Sequence, residues 1–165
     1  MEVRELPKPI HKANEMLVRV RAASVNSGDV KMRSKDVPWF FKLPIGFFAG
    51  FRKPRFPVLG TAFAGVVEEV GDQVREFRVG DEVFGSLGLE LGTHAEYVAV
   101  REDYPVLKKP KKLSFEEAAS IPFGAQTALH FLRKANIQAG HKVLIYGVSG
   151  SVGTAAVQIA KALGA

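Results

Sequence analysis

The sequence predicts a mixed fold, in which a partly closed β-barrel is followed by the first βα unit of a parallel sheet. Two patterns along the 165 residues indicate this fold class. Short strands separated by Gly/Asp turns run from residue 16 to about residue 105, which is typical of a small barrel. From Ser114 the apolar period becomes helical, and residues 142–165 combine an apolar run, a glycine turn and a helix.

The barrel strands are predicted from alternation and from turn residues. Residues 16–23 place valines on one face and arginines on the other, as a half-buried strand does. A turn at 24–32 then leads into a short helix. Further strands are predicted at 58–70, 82–84 and 93–100.

The strand at 93–100 also contains two residues that could donate protons. His94 and Tyr97 are both candidate acid catalysts by residue type. Tyr97 shares a strand face with Ala95 and Ala99, so we expect it in the core.

A basic loop at 33–57 contains an unusually dense aromatic group. Four interpretations stay open: a folded loop core, a wall for a flat substrate, an oligomer contact and a membrane-surface patch. The group consists of Trp39, Phe40, Phe41, Phe47, Phe48 and Phe51.

The helical part begins with a capping box formed by Ser114 and Glu117. Proline interrupts helices, so we expect the first helix to end at Pro122. A second helix is predicted at Gly124–Ala135, followed by a strand at 142–146 and a helix at Val152–Leu163.

Composition excludes several classes of function. The formal net charge is +6, but the densest lysine run is broken by Pro110 and no nucleic-acid-binding motif accompanies it. Nucleic acid is therefore not an expected partner. The absence of cysteine excludes disulfides and thiolate zinc ligands, and it fits a reducing compartment such as the cytoplasm. The most apolar window, 39–51, is shorter than the ~20 residues of a membrane span.

Three glycines between the apolar run and the last helix form a G-x-x-G-x-x-G pattern. A strand that turns into a helix at glycines presents free N–H groups to a pyrophosphate, although such glycines also serve packing alone. The residue that reads the ribose 2′ position is expected about 20 residues further on, beyond Ala165, so NAD versus NADP stays open. The predicted cofactor contacts are Ser149, Gly150, Ser151, Val152 and Gly153.

Six ordered motifs together resemble the zinc-independent branch of the medium-chain dehydrogenase/reductase superfamily, the quinone oxidoreductases. They are Ala23–Asp29, Pro57–Val67, Val79–Val83, Gly92–Val98, Leu113–Leu129 and the glycine turn at 147–153. The resemblance implies a GroES-like substrate domain at 1–113 and the start of a truncated Rossmann NAD(P)-binding domain at 114–165. It also implies that relatives have a further first strand ahead of Met1.

The same resemblance assigns the site residues. Zinc-dependent relatives hold their metal at positions that match Asn26, Thr61 and Phe123, and these side chains cannot form a zinc site. No catalytic metal is therefore expected. Asn26 and Thr61 become the expected catalytic residues, and Thr127 is expected near the nicotinamide. The alternatives are a helix cap for Asn26, strand packing for Thr61 and a bond to a helix carbonyl for Thr127.

The function implied by this resemblance is hydride transfer from NADPH, with NADH not excluded, to a quinone or an activated enone. Conjugated acceptors spread the incoming charge, so they need no Lewis acid. The alternative is a non-catalytic member of the superfamily that acts as a binding or interaction protein. An exposed strand edge at 142–146 predicts a homo-oligomer, and the 165-residue chain is expected to be weakly active or inactive as a probable fragment.

Overall fold

The computed structural model describes residues 3–34, 38, 58–88 and 90–165, so the aromatic group at 39–51 lies outside the described residues. The chain divides into two compact units, Met1–Ala119 and Ser120–Ala165. The described elements are β1 (Glu15–Ala23), α1 (Ser27–Ser34), β2 (Ala62–Val70), β3 (Glu82–Ser86), β4 (Tyr97–Arg101), β5 (Val106–Lys108), α2 (Phe115–Lys134) and α3 (Ser151–Ala162).

The first unit is built on a five-stranded antiparallel sheet in the order β4-β1-β2-β3-β5. This arrangement confirms the predicted fold class of a partly closed β-barrel. Strand β1, between β4 and β2, is buried over Glu15–Val18 and exposes Arg19 and Arg21, so the predicted alternation holds only in its second half. The sequence pattern did not predict β5, a three-residue strand that ends at Lys108 and is followed by Lys109 and Pro110.

Each strand contributes buried side chains to one core. Phe63 from β2 is fully buried, and it packs in a cluster with apolar residues of all four other strands. The other buried members are Met16, Val18, Val67, Val74, Phe77, Val83, Leu87, Val98, Val100 and Val106.

The prediction that Tyr97 lies on the core face of β4 is wrong. Val98 and Val100 are buried opposite Val18 and Met16 of β1, whereas Tyr97 lies on the other face and is half-buried. Both faces of this strand are apolar, so alternation alone did not distinguish them; the two valines instead fit the core. The Tyr97 ring contacts the Lys8 ammonium, 4.6 Å from the ring centre.

The capping box is confirmed, but the predicted break at Pro122 is wrong. The Ser114 N–H donates to Glu117 Oε2 at 2.8 Å, and the Glu117 N–H donates to Ser114 Oγ at 3.1 Å. From there α2 continues through Pro122 for 20 residues, including the predicted second helix. Proline removes one N–H, and the alanines and glutamates around it favour a helix strongly enough to continue it. The helix ends before Asn136, which adopts a positive φ of 49°.

The predicted strand at 142–146 has no strand partner within the described residues, so that prediction is wrong as stated. A strand is stabilised by hydrogen bonds to its neighbours, and none of the described strands pairs with this segment. Ile145 packs against a cluster centred on Ala128, Leu132, Ala156 and Ala160. Leu144 and Tyr146, by contrast, are 95% and 101% exposed.

No helix among the described residues is both long and apolar enough to cross a membrane.

Candidate functional site

Asn26 occupies the turn between β1 and α1, where it caps the helix. Its Oδ1 accepts from the N–H groups of Gly28 at 2.8 Å and Asp29 at 3.3 Å. In the opposite direction, the Asp29 carboxylate accepts from the Asn26 N–H at 2.9 Å. These reciprocal bonds satisfy N–H groups of the first helical turn. The cap is thus part of the role of Asn26.

The other end of the Asn26 amide contacts Thr61, which lies directly before β2. Asn26 Nδ2 donates to Thr61 Oγ1 at 3.0 Å across 35 residues of sequence. Because the cap occupies Oδ1, it fixes which way the amide points. A hydroxyl that accepts one bond still has its own proton to donate. The first unit therefore brings the two predicted catalytic residues together as a neutral donor pair at a half-buried position.

The predicted phosphate-binding turn lies in the second unit, where α3 begins. Gly150 is the N-cap of α3 with φ −79° and ψ 163°, and no side chain caps the helix. The first turn of α3 contains no acidic residue. Its N–H groups and the positive end of the helix dipole are thus open to an anion. The Thr154 hydroxyl donates to the Val148 carbonyl at 3.0 Å, and this bond connects α3 to the turn.

Two glycines are required by close approach of the backbone. A Cβ on Gly153 would lie 2.3 Å from the Gly147 carbonyl oxygen and 2.7 Å from Val148 Cα. Gly124 of α2 was not recognised as a site-forming residue, yet a Cβ there would lie 2.6 Å from the Ser151 carbonyl oxygen. Its only sequence signal is a glycine inside a helical pattern. Gly124 lets α2 pack directly against the start of α3.

Thr127 makes the bond that the alternative interpretation expected. Its hydroxyl donates to the Phe123 carbonyl one turn earlier in α2, at 2.9 Å. The oxygen keeps accepting capacity, so a ligand N–H or O–H could still bind it.

The side chains at the three positions matched to zinc ligands differ in exposure. Phe123 is 38% exposed, whereas Asn26 and Thr61 are half-buried. Over the parts of the chain that the structure describes, no three His, Asp or Glu side chains are grouped closely enough to hold a metal ion.

Comparison with known proteins identifies the family. The model of the alcohol dehydrogenase GroES-like domain matches residues 12–111. A 2-methylene-furan-3-one reductase of Solanum lycopersicum is 37% identical over 160 residues, which cover 93% of this chain and 38% of that protein. A quinone oxidoreductase of Homo sapiens is 39% identical over 162 residues, which cover 97% of this chain and 45% of that protein.

A solved structure agrees with these matches. The Escherichia coli quinone oxidoreductase complexed with NADPH has a TM-score of 0.76 and 30% identity, over 98% of this chain and 45% of that one. The chain thus spans less than half the length of these relatives. Because the family match covers more than half of the chain, the chain belongs to the alcohol dehydrogenase GroES-like domain family, among the quinone oxidoreductase-like members of the medium-chain dehydrogenase/reductase superfamily.

Proposed function

We propose that this chain provides the acceptor-binding residues and the phosphate-binding turn of an NADPH-dependent reductase of quinones or activated enones that works without zinc. In this proposal residues 1–113 form the substrate domain and residues 114–165 begin the cofactor domain. The single observation that carries it is the open N-terminus of α3, with Gly153 packed too tightly against Gly147 for any side chain.

The turn at 147–153 fits a pyrophosphate. Ser151, Val152 and Gly153 begin α3, so their N–H groups have no partner within the helix. Ser149 and Ser151 are exposed beside them and add hydroxyl donors. An E. coli relative of the same fold is complexed with NADPH, which supports this cofactor for the present chain as well. We extend the cofactor contacts to Thr127, through the accepting capacity of its hydroxyl oxygen.

The Asn26–Thr61 pair fits a conjugated acceptor. The bound cofactor would supply the hydride, and the pair would orient the acceptor or the nicotinamide ribose by donating hydrogen bonds. Neutral donors stabilise developing charge less than a metal ion does. A quinone or an enone spreads that charge by conjugation, which suits this pair. The names of the human and tomato relatives, a quinone oxidoreductase and a furanone reductase, support the same acceptor class.

Two further features belong to this proposal. The exposed segment around Leu144 and Tyr146 would bind a second copy of the chain, so we expect a homo-oligomer. The absence of cysteine fits a cytoplasmic location.

The test follows NADPH oxidation by the chain with three acceptors: an ortho-quinone, an enone and a plain ketone. We expect slow turnover of the first two and none of the ketone. Loss of turnover in Asn26→Asp, which keeps the cap but cannot donate to Thr61, would support the role of the pair. Equal rates with all three acceptors would contradict the proposed acceptor class. A glycine turn that never binds NADPH would favour the non-catalytic alternative.

A further inference from the structure

His94 lies in the segment that leads into β4, and its backbone is bound to the segment that ends at Thr61. The His94 N–H donates to the Leu59 carbonyl at 2.9 Å, and the neighbouring Thr93 N–H donates to the Gly60 carbonyl at 3.3 Å. The backbone of His94 is therefore fixed relative to the residues immediately before Thr61.

The His94 ring contacts the segment that contains Asn26. Its Nε2 lies 3.1 Å from the Ser24 carbonyl oxygen, two residues before Asn26. A carbonyl oxygen only accepts, so Nε2 must carry the proton in this contact. Beyond the last β1–β2 pair, Ala23 with Phe63, a backbone bond from the Ser24 N–H to the Ala62 carbonyl is longer, at 3.3 Å. His94 thus connects the Asn26 segment to the Thr61 segment.

The position of the ring is also fixed by packing. Gly60 adopts a φ of +95°, and a Cβ there would lie 2.4 Å from His94 Cδ2 and 2.3 Å from Thr93 Oγ1. Thr93 is fully buried behind it. The ring therefore lies directly against the backbone of Gly60, with no space for a side chain between them.

We propose that His94 is a positioning residue that aligns Asn26 with Thr61. It holds the two chain segments at the separation that the 3.0 Å contact between Asn26 Nδ2 and Thr61 Oγ1 requires. The capping bonds of Asn26 set the direction of its side-chain amide. His94 sets the distance between Asn26 and the segment that leads into β2. The inference rests on the proposed function, in which this pair orients the acceptor, but the geometry is testable without turnover.

The experiment measures exchange of the Asn26 side-chain amide protons with water, by NMR on the isotope-labelled chain. His94→Phe keeps a ring but removes the N–H, whereas His94→Gln keeps a donor of similar reach. His130→Phe in α2 is the matched control, since its ring contacts Phe131. If His94→Phe does not fold by circular dichroism, His94→Asn replaces it, because its shorter side chain loses the same contact.

We expect His94→Phe to speed the exchange about tenfold, the size of one lost hydrogen bond. His94→Gln and His130→Phe should stay within about twofold of the unmodified chain. Unchanged exchange in His94→Phe would overturn the proposal, as would His94→Gln behaving like His94→Phe.

A turnover measurement then separates this proposal from the proposed function. As a single substitution, His94→Phe should lower kcat. In a chain that already carries Asn26→Ala it should lower kcat no further, because His94 acts through Asn26. Additive losses would overturn the positioning role. Equal turnover of an ortho-quinone and a plain ketone, with the expected exchange pattern, would count against the proposed function and leave the role of His94 supported.

Discussion

The two compact units present their candidate functional groups in opposite ways. In the first unit the groups are side chains, and Asn26 and Thr61 meet because reciprocal hydrogen bonds fix them on a well-packed sheet. In the second unit the groups are mostly backbone N–H groups, and close glycine packing gives the turn its shape. The first kind of site should respond to changes in hydrogen bonding, and the second to changes in volume.

The largest expected effect comes from adding volume to the glycine turn. In Gly153→Val the new Cβ would lie 2.3 Å from the Gly147 oxygen, so the turn must shift. We expect NADPH binding to weaken about 100-fold, as overpacking of 1–3 kcal/mol implies. Titration calorimetry measures this change. Gly150→Ala is the matched control, because its Cβ would lie at an ordinary 3.6 Å from the same oxygen. Equal loss of affinity in both variants would refute the steric explanation.

The second prediction separates the cap from the donor pair in the first unit. Asn26→Ala removes both, and the lost cap should lower the free energy of unfolding by about 1 kcal/mol. Asn26→Asp keeps an acceptor for the Gly28 and Asp29 N–H groups, so its stability should stay near that of the unmodified chain. Chemical denaturation followed by circular dichroism measures both. If Asn26→Asp were as destabilised as Asn26→Ala, the cap would not be the source of the stability.

The third prediction, of similar size to the second, concerns a side-chain hydrogen bond next to β3. The hydrogen bond from Lys108 holds the pKa of Asp81 below its ordinary value, with a further bond from the Arg78 N–H. A carboxyl group whose pKa is lower in the folded state stabilises the fold at pH values above its unfolded-state pKa. This contribution is lost as the pH falls through the folded-state pKa.

Asp81→Asn should therefore cost about 1 kcal/mol at neutral pH, and the cost should fade as the pH drops below the ordinary carboxyl range. Urea unfolding at a series of pH values would show the two curves converge. Asp72→Asn removes the same charge at an exposed position and serves as the control for net charge. A constant difference at every pH would contradict the linkage.

The smallest effect on folding concerns the exposed segment of the second unit. Leu144 and Tyr146 are almost fully exposed, so replacing both with lysine should change the free energy of unfolding by less than about 0.5 kcal/mol. The same change should shift the mass seen by light scattering from oligomer towards monomer. Val79→Lys, at an exposed apolar residue of the first unit, should leave the mass unchanged. A monomeric unmodified chain at all concentrations would contradict the predicted association.

The sequence predicted the local features of the fold and missed those that depend on partners distant in the chain. The Ser114–Glu117 capping box and the glycine turn before α3 are encoded within a few residues, and both are present. The inward face of β4 was wrong because valine and tyrosine alternate on two apolar faces, and only β1 decides between them. The continuation of α2 through Pro122 likewise depends on the strong helix formers around it.

The candidate site divides in the same way. Resemblance to a family gave Asn26 and Thr61, but neither the bond between them nor the bridge through His94 is visible in a sequence, since the partners are 35 and 70 residues apart. Gly124 was missed because one glycine in a helix gives no sign of the backbone that approaches it. Short-range spacing predicted the glycine turn and the helix after it, whereas contacts between side chains far apart in the sequence become visible only in the fold.

The turn at 147–153 is proposed to bind NADPH, and direct titration of the 165-residue chain is the best test of this binding. The measurement follows the nicotinamide fluorescence of NADPH, with NADH as the comparison and Gly153→Val as the negative control. We predict saturable binding that Gly153→Val weakens about 100-fold and Gly150→Ala retains. Absence of binding by a folded chain, or binding that Gly153→Val leaves unchanged, would contradict a cofactor site at this turn.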